Sequence, residues 1–158
     1  MMHGQPVIDY PSLVAELRRL GHSQPDDPRT VAAAVMRVRK CKLPDPGRIP
    51  SCGSFFKNPV LDNGSARELV EHHPELPNWP DKPGHTKLSA AWLIDELGWR
   101  GRRRGGIEVF DRHALVLVNR GGGTGRDLLE LAADIRDSVR DRFGVELEPE
   151  PVIIGSVD

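Results

Sequence analysis

The stretch that most constrains this chain lies at residues 52–60 and reads CGSFFKNPV. Read as a β-strand, it places Ser54, Phe56 and Asn58 on one face and the residues between them on the other. That face then carries a hydroxyl and an amide on either side of an aromatic ring, as a ligand-facing surface does. The same residues are also compatible with an edge strand whose two phenylalanines pack into a core. Both interpretations remain open for the stretch taken alone.

Glycine and proline delimit this stretch. Gly53 allows a ligand or another backbone to come close, because it has no side chain. Pro59 has no backbone N–H and therefore ends a hydrogen-bonded ladder. We expect the strand to stop there.

Composition limits the classes of function. With 158 residues, the chain is long enough to form one domain that buries a core without disulfides or metals. The net charge is −1 with 28% charged residues, so we expect neither a nucleic-acid nor a membrane partner. Cys41 and Cys52 follow no disulfide or zinc pattern, which is typical of a reducing compartment. That cysteine pattern also gives no reason to expect a metal. The sequence has neither an apolar run of about 18 residues nor a signal peptide, so we expect a soluble, cytoplasmic protein.

The N-terminal part predicts one strand and two helices. Residues 6–10 (PVIDY) read as a short strand, and residues 12–20 place leucines at helical spacing. Asp27 and Pro28 supply an N-cap and a first-turn proline for a second helix that ends at Lys40. The last turn of that helix is basic, which suits the negative end of the helix dipole.

The middle of the chain predicts helices separated by a loop. Residues 65–68 (SARE) form a capping-box pattern that opens a short helix. Prolines recur over residues 74–85, so we expect a loop that Trp79 pins to the body of the protein. Residues 89–97 predict a helix that stops at Gly98.

The C-terminal part predicts strands and a long helix. Residues 107–110 and 114–118 read as strands, and the second is apolar enough for a central strand. The clearest helix spans residues 124–143, where apolar residues recur on one face. Residues 145–148 and 152–155 read as terminal strands. The whole chain therefore predicts a single α+β domain, with helices packed on a mainly antiparallel sheet.

Two segments match binding sites only in part. Residues 120–125 (RGGGTG) follow a strand and precede a helix, where phosphate cradles occur. They lack the lysine and hydroxyl residue of a P-loop and the acidic residue of a dinucleotide-binding fold, so they predict a plain connection. The arginines within residues 100–104 form a basic patch without interleaved aromatic residues, which predicts a solvated turn.

Five blocks of the sequence carry a family resemblance. They are KLPDP at 42–46, GSFFKNP at 53–59, KLSAAWLIDELGWRG at 87–101, HALVLVN at 113–119 and LEPEPVIIG at 147–155. In this order and spacing they resemble the UDP-N-acetylenolpyruvoylglucosamine reductase family. The resemblance is confined to the C-terminal, substrate-binding domain of that family.

The resemblance implies an oxidoreductase that reduces UDP-N-acetylglucosamine enolpyruvate to UDP-N-acetylmuramate in peptidoglycan synthesis. In that family NADPH is the electron donor and FAD delivers the hydride. Ser54, in the GSFFKNP block, matches the family's proton donor. Glu150 matches the carboxylate that helps to stabilise the charge formed on the substrate. Val152 stands where the family usually has an arginine, which leaves open how Glu150 is held.

The resemblance also implies a set of substrate contacts. Tyr10 matches a loop tyrosine that closes on the UDP part, and Lys42 matches a lysine that reaches the diphosphate. Arg39 lies near Lys42 on the same predicted helix end. Asn58 and His113 match polar ligand contacts. Taken singly, each has a structural interpretation as well, as a core tyrosine, a helix-end cation or a surface histidine.

The family's FAD-binding domains precede the domain that this chain resembles, and we find no match to them here. We therefore expect FAD to be bound by domains absent from this chain, the isolated chain to be inactive, and a separately encoded FAD domain to be a candidate partner. The alternatives are a catalytically silent UDP-sugar-binding module and an interaction domain that uses the basic patch. Ser54 and Glu150 favour the enzyme part, because binding alone requires neither a proton donor nor an opposed carboxylate.

Overall fold

The computed structural model describes residues 8, 10–22 and 27–154. The chain forms two compact units, Met1–Leu43 and Pro44–Asp158. The strands predicted over residues 6–10 and 152–155 lie partly outside the described residues.

The first unit is a pair of helices, α1 over Pro11–Arg19 and α2 over Pro28–Lys42, which pack against each other. Asp27 caps α2, because its carboxylate accepts the N–H of Arg29 at 3.0 Å. The predicted start of α2 is therefore confirmed. The helix extends slightly beyond its predicted end at Lys40.

In the described part of the second unit, runs of two or three strands are each followed by a helix. Their bounds are β1 Ser51–Ser54, β2 Val60–Asp62, α3 Asn63–His72, β3 Asn78–Pro80, β4 His85–Leu88, α4 Ala90–Glu96, β5 Arg103–Arg104, β6 Ile107–Val109, β7 Val116–Asn119 and α5 Gly125–Phe143. The strands pair antiparallel in two sheets, ordered β1-β7-β6-β5 and β2-β4-β3. The predicted α+β class is confirmed, although the strands form two sheets rather than one.

The core of the second unit lies where α5 packs against α4, β5 and β6. Leu131, Ile135 and Val139 of α5 are buried there. β7 is an inner strand whose apolar residues are buried, as its continuous apolar sequence predicts. Each fully buried aliphatic side chain of this kind contributes about 1.5–3 kcal/mol to stability.

Local sequence sets both ends of α5. Thr124 and Asp127 form a capping box, in which the Thr124 hydroxyl accepts the Asp127 N–H at 3.1 Å and the Asp127 carboxylate accepts the Thr124 N–H at 2.8 Å. Gly144 ends the helix in the left-handed conformation at φ 67°. The predicted long helix is confirmed. None of the described helices is both long and apolar enough to cross a membrane.

The start of α3 differs from the prediction. The helix begins at Asn63 rather than at Ser65, because Asp62 is its N-cap. One carboxylate oxygen of Asp62 accepts the N–H groups of Gly64 at 2.9 Å and of Ser65 at 3.0 Å. The Ser65 hydroxyl donates to the other oxygen at 2.7 Å. Aspartate is as good an N-cap residue as serine, so Asp62 caps the helix and Ser65 is hydrogen-bonded to that cap.

The predicted loop over residues 74–85 contains a strand. β3 occupies its centre and forms the edge of the three-stranded sheet, where a proline such as Pro80 is tolerated. Trp79 pairs with Lys87 of β4, yet its side chain is 47% exposed. The expectation that Trp79 pins a loop to the body of the protein is therefore wrong.

The predicted terminal strands do not form over the described residues. A single antiparallel bridge joins Phe56 and Pro149. Pro149 and Pro151 lack a backbone N–H, so a ladder cannot continue along this segment. Val145 and Leu147 are buried nevertheless, and the segment contributes to the core without strand geometry.

The glycine-rich segment 120–125 is held by a side chain of the strand before it. The Oδ1 atom of Asn119 accepts the N–H groups of Gly121 at 2.9 Å and Gly123 at 3.2 Å. The backbone at Gly106, before β6, also packs closely against this glycine-rich segment, because a Cβ atom on Gly106 would lie 2.2 Å from the Gly121 carbonyl oxygen. Because those two N–H groups are engaged inside the protein, the segment is a strand-to-helix connection, as predicted.

A buried carboxylate ties this connection to the sheet. Glu108 of β6 is 3% exposed at its side chain and pairs with Arg103 of β5 and with Arg120, whose Nη2 lies 2.6 Å from Oε1. Burial by itself raises the pKa of Glu108. The hydrogen bonds and charges of Arg120 and Arg103 outweigh burial and hold that pKa below its ordinary value of 4.5.

The ion pairs of Glu108 predict a pH-dependent contribution to stability. At pH 7, Glu108→Gln should lower the free energy of unfolding by about 2–4 kcal/mol, because two arginines lose their charged partner. The folded-state pKa is the lower one, so the contribution is complete above 4.5 and is lost as the pH falls through the folded-state pKa.

Urea unfolding of both proteins from pH 7 down to about pH 3 measures this. The exposed pair partner Glu130 provides the control, since Glu130→Gln should cost less than about 1 kcal/mol. A Glu108→Gln deficit that stayed constant below pH 4.5 would assign the loss to packing instead.

Candidate functional site

The backbone of Phe55 joins three distant parts of the second unit. Its N–H donates to the carbonyl oxygen of Leu115 at 2.8 Å, and its own carbonyl oxygen accepts the N–H of Glu150 at 2.8 Å. The Phe55 ring is 2% exposed and packs edge-on against Phe56, with 5.1 Å between ring centroids. Residues on either side of Phe55 are thereby held in fixed positions.

β1 carries a bulge just before this point. Ser51 pairs with Val118 and Ser54 pairs with Val116, so β1 has one more residue than β7 between the two pairs. Gly53 adopts φ +78°, a conformation that other residues rarely adopt, while nothing lies within 4 Å of the place of its missing side chain. Backbone conformation therefore explains this glycine, and a close approach by another backbone does not.

The end of β1 at Ser54 changes which side chains of the stretch are buried. Strict alternation predicts Phe55 and Phe56 on opposite faces, with one of them beside Ser54 and Asn58. Both rings are instead buried, each 2% exposed. The predicted alternation is wrong because β1 ends at Ser54 and the residues after it form only a single bridge. The alternative of a packed phenylalanine pair is confirmed.

The structure brings Ser54 and Glu150 close along the backbone. Ser54 is the last residue of β1 and is exposed. The backbone N–H of Glu150 is hydrogen-bonded to Phe55, the residue that follows Ser54. Lys57 reinforces this arrangement, because its N–H donates to the Glu148 carbonyl oxygen at 2.9 Å. The Lys57 ammonium also lies 3.0 Å from the Glu148 carboxylate. A hydroxyl and a carboxylate from opposite ends of the unit thus share one region.

His113 lies in the turn that leads to the same region. Its Nδ1 atom accepts the N–H of Leu115 at 3.3 Å, so the proton of the neutral ring is on Nε2. Leu115 in turn accepts the N–H of Phe55. His113 is therefore connected to the Phe55 region through one residue.

Asn58 has a structural contact that the sequence does not reveal. Its Oδ1 atom accepts the N–H of Ala90, the first residue of α4, at 3.0 Å. Its Nδ2 atom makes no hydrogen bond within the described part of the chain. Asn58 thus fixes the start of a helix and keeps a donor for another partner.

Three candidate residues belong to the first unit. Tyr10 precedes α1 and is 75% exposed, so the alternative of a core tyrosine is wrong. Arg39 and Lys42 are exposed in the last turn of α2, where cations suit the helix dipole.

A cleft of about 680 Å³ lies beside the Phe55 region. Phe55, Pro151 and the first turns of α5 line it, together with the apolar side chains of residues 152–154. Ser54 and Glu150 are not among its lining residues. Val152 and Ile154 are 85% and 93% exposed, so the position where the family usually has an arginine is apolar and solvent-facing here. No sequence pattern predicted this cleft.

The basic patch of residues 100–104 is engaged within the fold. Arg102 donates to the Gly98 carbonyl oxygen at 2.8 Å and stacks over Trp99. The other arginines make ion pairs, which are Arg100 with Asp95, Arg103 with Glu108, and Arg104 with Glu130 and Asp134. These contacts give an interaction domain built on this patch no support.

The glycine-rich segment does not offer a free phosphate cradle for a dinucleotide. Residues 120–125 lie where a phosphate cradle would lie, between a strand and a helix. Asn119 accepts the N–H groups of Gly121 and Gly123 in this segment, so these donors are not available to a phosphate. Within the same described ranges, no group of three or more His, Cys, Asp or Glu side chains is arranged to hold a metal ion.

Comparison with known proteins identifies the family. Residues 45–154 match the family model of the UDP-N-acetylenolpyruvoylglucosamine reductase C-terminal domain. This region is an α+β unit in which the backbone of Glu150 is hydrogen-bonded to Phe55, the residue after Ser54. The chain belongs to the UDP-N-acetylenolpyruvoylglucosamine reductase C-terminal domain family.

Named relatives agree with this family. The chain is 48% identical over 150 residues to a UDP-N-acetylenolpyruvoylglucosamine reductase of Bordetella pertussis, covering 95% of this chain and 42% of that protein. It is 50% identical over 151 residues to the protein of that name from Burkholderia multivorans, covering 94% and 43%. The chain thus spans about two fifths of the length of these relatives.

A solved structure also aligns with the chain. It is the UDP-N-acetylenolpyruvylglucosamine reductase of Thermus caldophilus, with a TM-score of 0.46 and 29% identity. The alignment covers 80% of this chain and 35% of that one.

The contact of Asn58 predicts a measurable structural role. Asn58→Ala should lower the free energy of unfolding by about 1 kcal/mol, because the N–H of Ala90 loses its acceptor. Asn58→Asp keeps an acceptor oxygen at the start of α4 and should stay within about 0.5 kcal/mol of the original. Urea unfolding at neutral pH compares the three proteins. Equal stability of Asn58→Ala and the original would exclude this role.

Proposed function

We propose that this chain is the substrate-binding and proton-donating part of UDP-N-acetylmuramate dehydrogenase, the enzyme that reduces UDP-N-acetylglucosamine enolpyruvate in peptidoglycan synthesis. The observation that carries the proposal is the pair of hydrogen bonds at Phe55, which hold Ser54 and Glu150 in one region. Membership of the C-terminal domain family supports it. The balanced charge and the family's nucleotide substrate favour a cytoplasmic location.

The reaction needs a proton and a means of stabilising negative charge. Reduction adds a hydride to the terminal vinyl carbon of the enolpyruvyl ether and leaves negative charge at the neighbouring carbon. That carbon is basic enough to take a proton from the hydroxyl of Ser54. Glu150 helps to stabilise this negative charge from the far side of the substrate by donating a hydrogen bond from its carboxyl group, since an ionised carboxylate would repel the charge. Both side chains lie in exposed positions, open to a substrate.

The remaining candidate residues bind the substrate. Arg39 and Lys42 provide cations for the diphosphate, and Tyr10 closes on the UDP part. Asn58 contributes its Nδ2 donor, since its oxygen is occupied by Ala90. His113 contributes its imidazole ring, which the Leu115 N–H orients through Nδ1.

The hydride donor lies outside the described residues. FAD, reduced by NADPH, supplies the hydride in the family, and the N–H groups of the glycine-rich segment are already engaged by Asn119. We propose that FAD is bound by a region beyond this chain, on the same polypeptide or on a separately encoded partner. The larger size of the relatives is consistent with such a region.

A hybrid protein tests the role of Ser54. Residues 1–158 are joined to the remaining part of the Bordetella pertussis relative, and reoxidation of the reduced flavin by enolpyruvyl substrate is followed by rapid mixing. Ser54→Ala should slow this step roughly 10²-fold or more, because a general acid is lost. Flavin reduction by NADPH and substrate affinity should change little. Ser54→Cys should retain more of the rate than Ser54→Ala, because a thiol is more acidic than a hydroxyl.

Ser51→Ala is the matched control, because Ser51 lies on the same strand and is also exposed. It should leave both steps unchanged. Loss of affinity with a normal reoxidation rate in Ser54→Ala would reduce the role of this chain to a UDP-sugar-binding module.

A further inference from the structure

A second cleft, of about 640 Å³, lies between α3 and the hairpin formed by β3 and β4. One wall is a single face of α3, because Asn63, Ala66, Arg67 and Val70 have the spacing that brings residues together on one side of a helix. The opposite wall is formed largely by residues 80–86 of the hairpin. Ser54 and Glu150 do not line this cleft, so it is separate from the proposed active site.

A rigid turn forms the hairpin wall. The N–H of His85 donates to the Lys82 carbonyl oxygen at 2.9 Å, and Gly84 has φ +80°. With Pro83 at the second position, this is the pattern of a type II turn. The Asn63 N–H donates to the Gly84 carbonyl oxygen at 3.0 Å, so the turn is attached to the start of α3. The cleft is therefore formed before any ligand binds, which lowers the cost of binding.

The one carboxylate in the lining is already neutralised. Asp81 makes an ion pair with Lys87 at 2.7 Å, and this contact holds the pKa of Asp81 below its ordinary value. The Thr86 hydroxyl donates to the Oδ1 atom of Asn63 at 2.9 Å. That bond fixes the orientation of the Asn63 amide and leaves its Nδ2 donor available.

Cationic donors in the cleft lack partners. Arg67 makes no ion pair or side-chain hydrogen bond with the described residues, in contrast to the engaged arginines of the basic patch. The Lys82 ammonium makes no ion pair within the same ranges. His85 donates its Nδ1–H to the Pro83 carbonyl oxygen at 3.2 Å, so Nε2 of the neutral ring is an acceptor and adds no donor for an anion. The cleft thus combines positive charge with unused donors.

We propose that this cleft binds a small molecule that carries a phosphate group on an apolar body. A phosphate offers more acceptor oxygens than a carboxylate, which suits the fork of Arg67, the point charge of Lys82 and the Asn63 amide. Ala66, Val70 and the prolines of the hairpin provide the apolar surface for the rest of the ligand.

Phenyl phosphate is the probe, added to the 158-residue chain at constant ionic strength and followed through backbone amide chemical shifts. Saturable shifts should be concentrated in α3 and in residues 80–86. Arg67→Ala and Lys82→Ala should each weaken binding by about two- to fivefold, within the range expected for a partly exposed charge pair. Arg67→Lys should recover part of the loss, because the positive charge is retained.

Arg48→Ala is the matched control, because Arg48 is also exposed and also lacks an ion pair among the described residues. It should leave binding unchanged. Inorganic phosphate and benzoate should each bind more weakly than phenyl phosphate, since one lacks the apolar body and the other lacks the phosphate. Shifts that do not saturate, an equal loss in Arg48→Ala, or benzoate binding as tightly as phenyl phosphate would each overturn the proposal.

Discussion

The arrangement of the candidate active site depends on the backbone of Phe55. Its N–H and its carbonyl oxygen are bound by Leu115 and Glu150, while its ring is buried in the core. Each such hydrogen bond contributes about 1 kcal/mol, and burial of the ring adds about 1.5–3 kcal/mol. Burial of the Phe55 ring therefore stabilises the unit and also fixes the position of the neighbouring Ser54. Stability and the placement of the proposed chemistry are two consequences of the same contacts.

Much of the secondary structure follows from local sequence. The start of α2 and both ends of α5 were predictable because their caps are made by neighbouring residues. The bulge in β1 was not predictable, because an extra residue becomes visible only through pairing with β7. The exposure of Trp79 was not predictable either, because it also depends on strand pairing. Its exposure depends on the position of β3 at a sheet edge, which the prolines around it do not reveal.

In the candidate site, too, the residue types could be predicted from the sequence, whereas their arrangement depends on long-range contacts. Ser54 and Glu150 came from the family resemblance, and their proximity came only from hydrogen bonds between segments far apart in the sequence. The structural contact of Asn58 with Ala90 was invisible for the same reason, although its amide also suits a ligand. The roles of all the candidate site residues stay predictions, including those of Tyr10, Arg39 and Lys42 in the first unit.

The most direct test of joint action by Ser54 and Glu150 is a double-mutant cycle in the hybrid enzyme. The rate of flavin reoxidation by enolpyruvyl substrate is measured for Ser54→Ala, Glu150→Gln and the double variant. If both side chains act on charge at one carbon of the substrate, the double variant should lose far less than the product of the two single losses, with a coupling energy of about 1 kcal/mol or more. A loss equal to that product would mean that the two residues act independently, and would contradict the site assembled around Phe55.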